Sequence, residues 1–350
     1  MIPTIDAGKL FDLRSTHLLI DVRSPAEFEL GHIPGAINLP LFNNEERAQV
    51  GMRYANGGKN AALLLGLEIA GPRFARFVKK INGLTHKKVE GVIVHCWRGG
   101  MRSQAMGWLL EFAGYTVKVL EGGYKAYRSF IRQHITDGPE FIVVGGMTGS
   151  GKTPLLHTLK SMGEQVIDLE ALASNRGSVF GYLGQHEQPN NEQFENDLYE
   201  SIRMLNTNLR VWVEDESRSI GTVALPDPFF KKVKSSPLIF IEVPIQERIR
   251  RILAEYGMFD AALLTDAVTR LRQQLGAAKV EQIIGHINQG NFEPAVSELL
   301  KYYDQNYIKA FRKFNTRKVD YLIIDDDDMI AHARQMILLS QKNNHGTDLS

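Results

Sequence analysis

Cysteine is nearly missing from this chain: there is one, Cys96, in 350 residues. An internal disulfide is therefore impossible, which sets aside the small disulfide-stapled scaffolds. Long apolar runs are missing too. Although 43% of the residues are hydrophobic, no stretch approaches the roughly 20 apolar residues that a membrane-spanning helix needs. The third absence is an excess of charge of one sign. With 41 basic and 40 acidic residues the net charge is +1, so a nucleic-acid surface has to come from local segregation of charge. The opening MIPTIDAGKLFDLRS has no basic segment leading into an apolar run and a cleavage site. Together with the lone cysteine, this predicts a soluble protein of the reducing cytoplasm, without membrane contact.

What is present points to two domains, because 350 residues exceed the usual span of one hydrophobic core. HLLIDVRS, GVIVHC and YTVKVL are short β-branched runs separated by helix-like stretches such as RSQAMGWLLEFAG. This alternation predicts a parallel α/β domain over residues 1–135. RFARFVKKIN, Arg73 to Asn82, has the three- and four-residue apolar spacing of a surface helix. The turn-rich segment Thr136 to Pro139 marks the boundary. A second alternation, FIVVGG, EQVIDL, RVWVED, PLIFIEV and DYLIID, predicts a doubly wound α/β domain over residues 140–345. A helical insert is expected around 245–314, and the acidic run Asp325 to Asp328 reads as a solvated turn.

Two loops carry chemistry. In HCWRGGMRSQA, Cys96 follows a buried-type strand and precedes an amphipathic helix. Gly99 and Gly100 let successive N–H groups curl inward, the helix adds its positive end, and Arg98 and Arg102 add full charges. Such an anion cradle favours the thiolate, so Cys96 is the expected nucleophile. Trp97 could stack a base or serve as a packing wall.

The second loop, GMTGSGKT, lies between an apolar strand and a helix-like segment and fits the phosphate-binding P-loop pattern. N–H groups around Gly146, Thr148, Gly149, Ser150 and Gly151 would wrap a diphosphate. Lys152 would reach its oxygens, and Thr153 could ligate magnesium. Pro154 suits the helix's first turn. A metal-side carboxylate is expected at a neighbouring strand end: Asp215 first, Glu214 second, with Glu216 beside them. Asp168, Arg176 and Ser178 are further candidates, because ligands bind beyond the C-terminal strand ends of such sheets.

The first half resembles the rhodanese family through DVRSPAEFELGHIPGAINLP (Asp21 to Pro40), the Cys96 loop and LEGGYKAY (Leu120 to Tyr127). The resemblance implies a persulfide or perselenide on Cys96. Asp21, Arg23 and His32 belong to it, but they read as structural ion-pair or turn residues in preference to catalytic ones. Ordinary sulfurtransferases have four residues between cysteine and arginine; here Trp97 to Met101 are five. Cysteine phosphatases of the same fold share that longer loop, so a phosphatase stays open.

The pairing of both halves, with HCWRGGMRS, LEGGYKAYR, GGMTGSGKT, DLEALASNRGSVFG and VEDESRSIG, resembles the bacterial tRNA 2-selenouridine synthase family. The resemblance implies replacement of the sulfur of wobble 2-thiouridine by selenium from selenophosphate, through an S-geranyl intermediate made from geranyl diphosphate. It implies tRNA and a selenophosphate supplier as partners and no tightly bound organic cofactor, with magnesium an option. Lys301 to Lys318 interleaves six basic residues with aromatics and one acid. This suits phosphate contacts and base stacking, or equally a helix that buries its rings under a basic face. Arg248, Arg250 and Arg251 are weaker RNA candidates. A P-loop kinase or ATPase fused to a sulfur carrier is the remaining alternative.

Overall fold

A computed structural model describes residues 2–84, 89–314 and 317–344. The chain divides into two compact units, Met1–His134 and Ile135–Ser350.

In the first unit, β1 (Thr4–Ile5), β2 (His17–Asp21), β3 (Ile37–Asn38), β4 (Gly91–His95) and β5 (Val117–Leu120) form one sheet in the order β1-β5-β4-β2-β3, with every pairing parallel. A central parallel strand is covered on both faces, which explains the unbroken apolar run in GVIVHC. Val92, Ile93 and Val94 are fully buried, each contributing on the order of 1.5–3 kcal/mol by leaving water. Phe77 and Ile81 of the Phe74–Leu84 helix and Met106 and Leu110 of the Met101–Phe112 helix pack into the same core.

The Asn44–Ala70 helix is absent from the sequence expectation, because its long exposed face lacks apolar periodicity. A capping box between Asn43 and Glu46 starts it, and Gly58, at φ 74°, breaks its regular backbone.

In the second unit, β6 (Phe141–Gly146), β7 (Gln165–Ile167), β8 (Val211–Glu214), β11 (Leu238–Glu242) and β12 (Val319–Ile323) stand in the parallel order β12-β11-β6-β8-β7. A short antiparallel ribbon, β9 (Ser219–Ile220) and β10 (Val223–Ala224), follows β8. Between β11 and β12 run the helices Ile245–Tyr256, Ala261–Thr269, Arg272–Leu275, Ala277–Asn288 and Phe292–Phe314. Leu264, Val268, Val280, Ile283, Ile287, Ala295 and Leu299 give this insert a core of its own. Both units are therefore parallel α/β with substantial helix, as the alternation predicts. Among the described residues, no helix is long and apolar enough to cross a membrane.

Each sheet places its central strand, β4 or β6, directly before a glycine-rich loop. Strand and helix ends converge there, which makes the carboxyl edge the place for ligands.

Candidate functional site

Cys96 directly follows β4, is 3% exposed and belongs to the core cluster. Its sulfur lies 3.3 Å from the Ser103 hydroxyl, which itself donates to the Gly100 carbonyl at 3.0 Å. The sulfur is thus less open than a glycine-lined cradle suggests. Rotation of the Ser103 hydroxyl would redirect its hydrogen to a thiolate. In the loop that follows, the N–H groups of Trp97 to Arg102 donate to no protein acceptor among the described residues, leaving a run of donors for an anion.

The loop after β5 locks this shape: Tyr124 N–H donates to the Cys96 carbonyl at 2.8 Å, and Lys125 N–H to that of Trp97 at 3.0 Å. Gly123 sits at φ 61°, and a Cβ on it would meet the Cys96 carbonyl oxygen at 2.3 Å. Gly123→Ala is therefore expected to cost about 2 kcal/mol or more through left-handed strain and collision. The check is the thermal midpoint of the full chain; an unchanged midpoint would show that the two loops are not held together.

Of the two loop arginines, Arg98 is exposed. Arg102 instead turns to Glu27, with contacts of 2.5 and 3.1 Å. Burial alone would raise the Glu27 carboxyl, but Arg102 holds it below its ordinary value. Arg102 therefore does not add an unpaired charge to the cradle. Glu27 escaped the sequence reading, although the capping box Ser24 to Glu27 signals a fixed carboxylate. Asp21 and Arg23 form a fully buried ion pair, and Arg23 also donates to the Gly31 carbonyl at 2.7 Å and covers the Tyr124 ring. His32 stacks on Phe28, with its Nδ1 3.1 Å from the Phe28 carbonyl oxygen. Trp97 is 36% exposed and leans on Tyr124.

In the second unit, Gly146 to Thr153 curves into the Lys152–Ser161 helix. Gly149 and Gly151 take φ 77° and 84°, left-handed values that other residues adopt only under strain. The N–H groups of Thr148, Gly149, Gly151, Lys152 and Thr153 find no protein acceptor among the described residues. Lys152 Nζ donates to the Gly146 carbonyl at 3.1 Å, across the mouth of its own loop. Arg251 donates to the Ser150 carbonyl at 2.8 Å, and a Cβ on Gly151 would lie 2.8 Å from its Nη1.

The carboxylates divide into two groups. Asp215 Oδ1 accepts from Lys234 and Arg317, and Oδ2 from Tyr307, at 2.7–2.8 Å. Burial alone would raise Asp215, but its two cations hold it below the usual range. It lines the cavity as a committed ion pair. Thr153 donates to Glu170 at 2.8 Å, so no hydrogen bond joins the expected metal pair Thr153 and Asp215.

Glu170, Glu214 and Glu216 form the second group. Burial, then the neighbouring acids, raises Glu214 well above its ordinary value; burial also raises Glu216. Glu170 is pushed up to about 7 by burial and by the Glu216 charge. Glu214 accepts from the Leu169 N–H at 2.9 Å through Oε2, and its Oε1 has no partner among the described residues. Asp168 caps the Leu169–Ala173 helix and meets His157 Nε2 at 2.7 Å. His157 follows Thr153 by four positions, on the same helix face, which is the sequence signal that could have found it.

Glu170 has a consequence for pH. The folded protein keeps its proton to a higher pH than an unfolded chain does, so the associated stability is present at acid pH and is lost as pH rises towards about 7. Glu170→Gln should match the wild type near pH 4.5 and exceed its thermal midpoint at pH 8. Equal pH slopes for the two proteins would overturn the assignment.

One cavity of about 1110 Å³ runs from this loop into the insert. Its polar end holds Lys152, Thr153, Asp168, Glu170, Arg176, Ser178, Glu216 and Arg251, and its other walls include Leu264, Ile287, Phe292, Ala295, Val296 and Leu299. The sequence reading did not foresee this arm, because helix periodicity shows which face is apolar and not whether that face closes.

The RNA candidates fare differently from one another. Arg248 is buried and pairs with Asp304, and Arg250 pairs with Glu247 and Asp327. Asp327 of the acidic run therefore has a partner and lines the cavity. In Lys301 to Lys318, Tyr303, Tyr307 and Phe311 turn to the cavity and Phe240, leaving Lys309 and Arg312 exposed. Asn315 and Thr316, and the side chains of Lys313 and Phe314, lie outside the described residues.

Comparison with known proteins agrees with this division. The rhodanese-like domain family matches residues 6–130, and the tRNA 2-selenouridine synthase AAA domain family matches residues 139–267. A tRNA 2-selenouridine synthase of Bdellovibrio bacteriovorus is 42% identical over 247 residues, 68% of this chain and 64% of that one. One from Nitrosomonas eutropha is 40% identical over 81% of this chain and 74% of its own. A third, from Hydrogenovibrio crunogenus, is 34% identical over 83% and 84%. The match thus spans just under two thirds of the Bdellovibrio relative and more of the other two. With both loops in place, and identity of this level across both units, the chain belongs to the tRNA 2-selenouridine synthase family.

Proposed function

We propose that this protein geranylates the sulfur of wobble 2-thiouridine in tRNA and then replaces that sulfur with selenium. The observation that carries the reading is the cavity that joins the phosphate loop to an apolar arm. A diphosphate at one end and a hydrocarbon chain at the other describe a prenyl diphosphate. A nucleotide would leave a hydrogen-bonding base against Leu264, Ile287 and Phe292, which offer it no side-chain donor or acceptor.

In the first step the thiouridine sulfur attacks C1 of the geranyl group while the C1–O bond breaks, and pyrophosphate leaves with the electron pair. Loop N–H groups, Lys152 and Arg251 stabilise that charge as it develops. The base must then lose its N3 proton, and His157, held by Asp168 and lining the same cavity, would take it. A magnesium ion accompanying the diphosphate would be held by Thr153 and Glu170, which already meet; Asp215 is committed elsewhere.

In the second step the Cys96 loop holds selenophosphate, provided by its supplier enzyme, among its unpartnered N–H groups. The Cys96 thiolate attacks phosphorus as the P–Se bond breaks, and water later releases the phosphate from the sulfur. The selenide so freed adds at C2, the C2–S bond breaks, and the geranyl thiol leaves with a proton, carrying the sulfur away. Alkylation has by then converted a poor leaving group into a better one.

The test is nucleoside mass spectrometry of thiolated tRNA incubated with the enzyme and geranyl diphosphate, with and without selenophosphate. S-geranyl nucleoside is expected without selenophosphate and selenouridine with it. Unchanged tRNA together with rapid nucleotide hydrolysis, or with phosphate release from aryl phosphates, would overturn the proposal in favour of a kinase or ATPase, or of a phosphatase.

A further inference from the structure

The apolar arm belongs to the helical insert, and its construction differs from that of a surface groove. Leu264, Ile287, Ala295 and Leu299 line the cavity and are also members of the insert's own core, each less than 8% exposed. Their far sides are therefore held by packing against Val268, Val280 and Ile283, so the wall they present is fixed. Ala295, Leu299 and Tyr303 follow one another at four-residue intervals along the Phe292–Phe314 helix, and all three face the cavity. The Tyr303 hydroxyl accepts from the Val179 N–H at 3.1 Å, which fixes that ring as well.

The opposite end is equally fixed, since the phosphate loop offers its donors at the mouth of the Lys152–Ser161 helix. A ligand pinned by its diphosphate and bounded by a packed wall is measured for length. We infer that the helical insert gauges the isoprenoid chain, with Ala295 and Ile287 as specificity-determining positions. This rests on the prenyl-transfer reading above and adds to it which residues select the donor. Ala295 is the smallest side chain among the arm's packed walls, so bulk added there shortens the arm. Ile287 stands on the neighbouring Ala277–Asn288 helix, and removing its branched side chain lengthens it.

Discrimination by an apolar wall amounts to roughly 10- to 200-fold per methylene, so one five-carbon unit is ample for a readable change. The experiment gives the full-length enzyme and thiolated tRNA dimethylallyl, geranyl or farnesyl diphosphate, and measures kcat/KM for S-prenyl nucleoside formation. Ala295→Phe should shift the geranyl-to-dimethylallyl ratio at least about 10-fold towards the shorter donor. Ile287→Ala should shift the farnesyl-to-geranyl ratio about 10-fold towards the longer one. Binding of inorganic pyrophosphate, which needs only the loop, should be unchanged in both. If the wild type accepts none of the three donors, the prenyl-transfer reading itself fails. If the wild type is active but both variants keep its preference, or both lose all donors while still binding pyrophosphate, the insert does not gauge length.

Discussion

Cys96→Ala is expected to stop selenium incorporation, by at least about 10³-fold, while S-geranyl nucleoside accumulates in the tRNA. The sulfur belongs to the first unit, in a loop whose N–H groups from Trp97 to Arg102 meet no protein acceptor among the described residues, whereas the described residues that line the phosphate-loop cavity belong to the second unit. Alanine fills much of the same core space, so the loop held by Tyr124 and Lys125 should keep its shape. Cys96→Ser is the companion variant, because it keeps a hydroxyl near Ser103 yet supplies a far weaker nucleophile. Nucleoside mass spectrometry reads both products at once. If geranylation disappeared with the cysteine, the assignment of the two steps to two separate loops would be wrong.

Lys152→Ala is expected to remove both products, with geranyl transfer falling about 10²- to 10⁴-fold. Lys152 lies within the electrostatic reach of Glu170 and Glu216, so its loss leaves buried acids facing the incoming diphosphate. Repulsion then adds to the missing transition-state contact, and KM for geranyl diphosphate should rise along with the fall in kcat. Supplying tRNA that already carries the S-geranyl group separates the steps: the Lys152 variant should convert it to selenouridine at the wild-type rate, and Cys96→Ala should not. A Lys152 variant that failed on the pre-alkylated tRNA would show that the phosphate loop serves the second step as well.

Much of this was legible in the linear chain because both loops are local. A β-branched strand, a run of glycines and a helix start occupy adjacent positions, and the N–H donors come from the backbone of that same segment. The roles of single charged side chains were less legible. Arg102 belongs to the expected cradle by spacing, yet Glu27, 75 positions away, takes its charge. Asp215 follows a strand end as a metal-side carboxylate would, yet Lys234, Arg317 and Tyr307 surround it. Glu170, by contrast, gained importance only once folding placed Thr153 and Glu216 beside it. The Lys301 to Lys318 segment had two readings on paper, and packing of Tyr303, Tyr307 and Phe311 against the cavity favours the one in which rings are buried.

By itself, then, the amino-acid order determined the parallel α/β class, the two glycine-rich loops and the residues at their tips, since each depends on neighbours within a few positions. Only the tertiary structure decided which carboxylates are raised above their ordinary range, which arginines are already paired with acids, and that the insert's apolar faces close into an arm beside the phosphate loop. Electrostatic fields and cavities are set by groups brought together from distant parts of the chain, and no local pattern encodes their meeting.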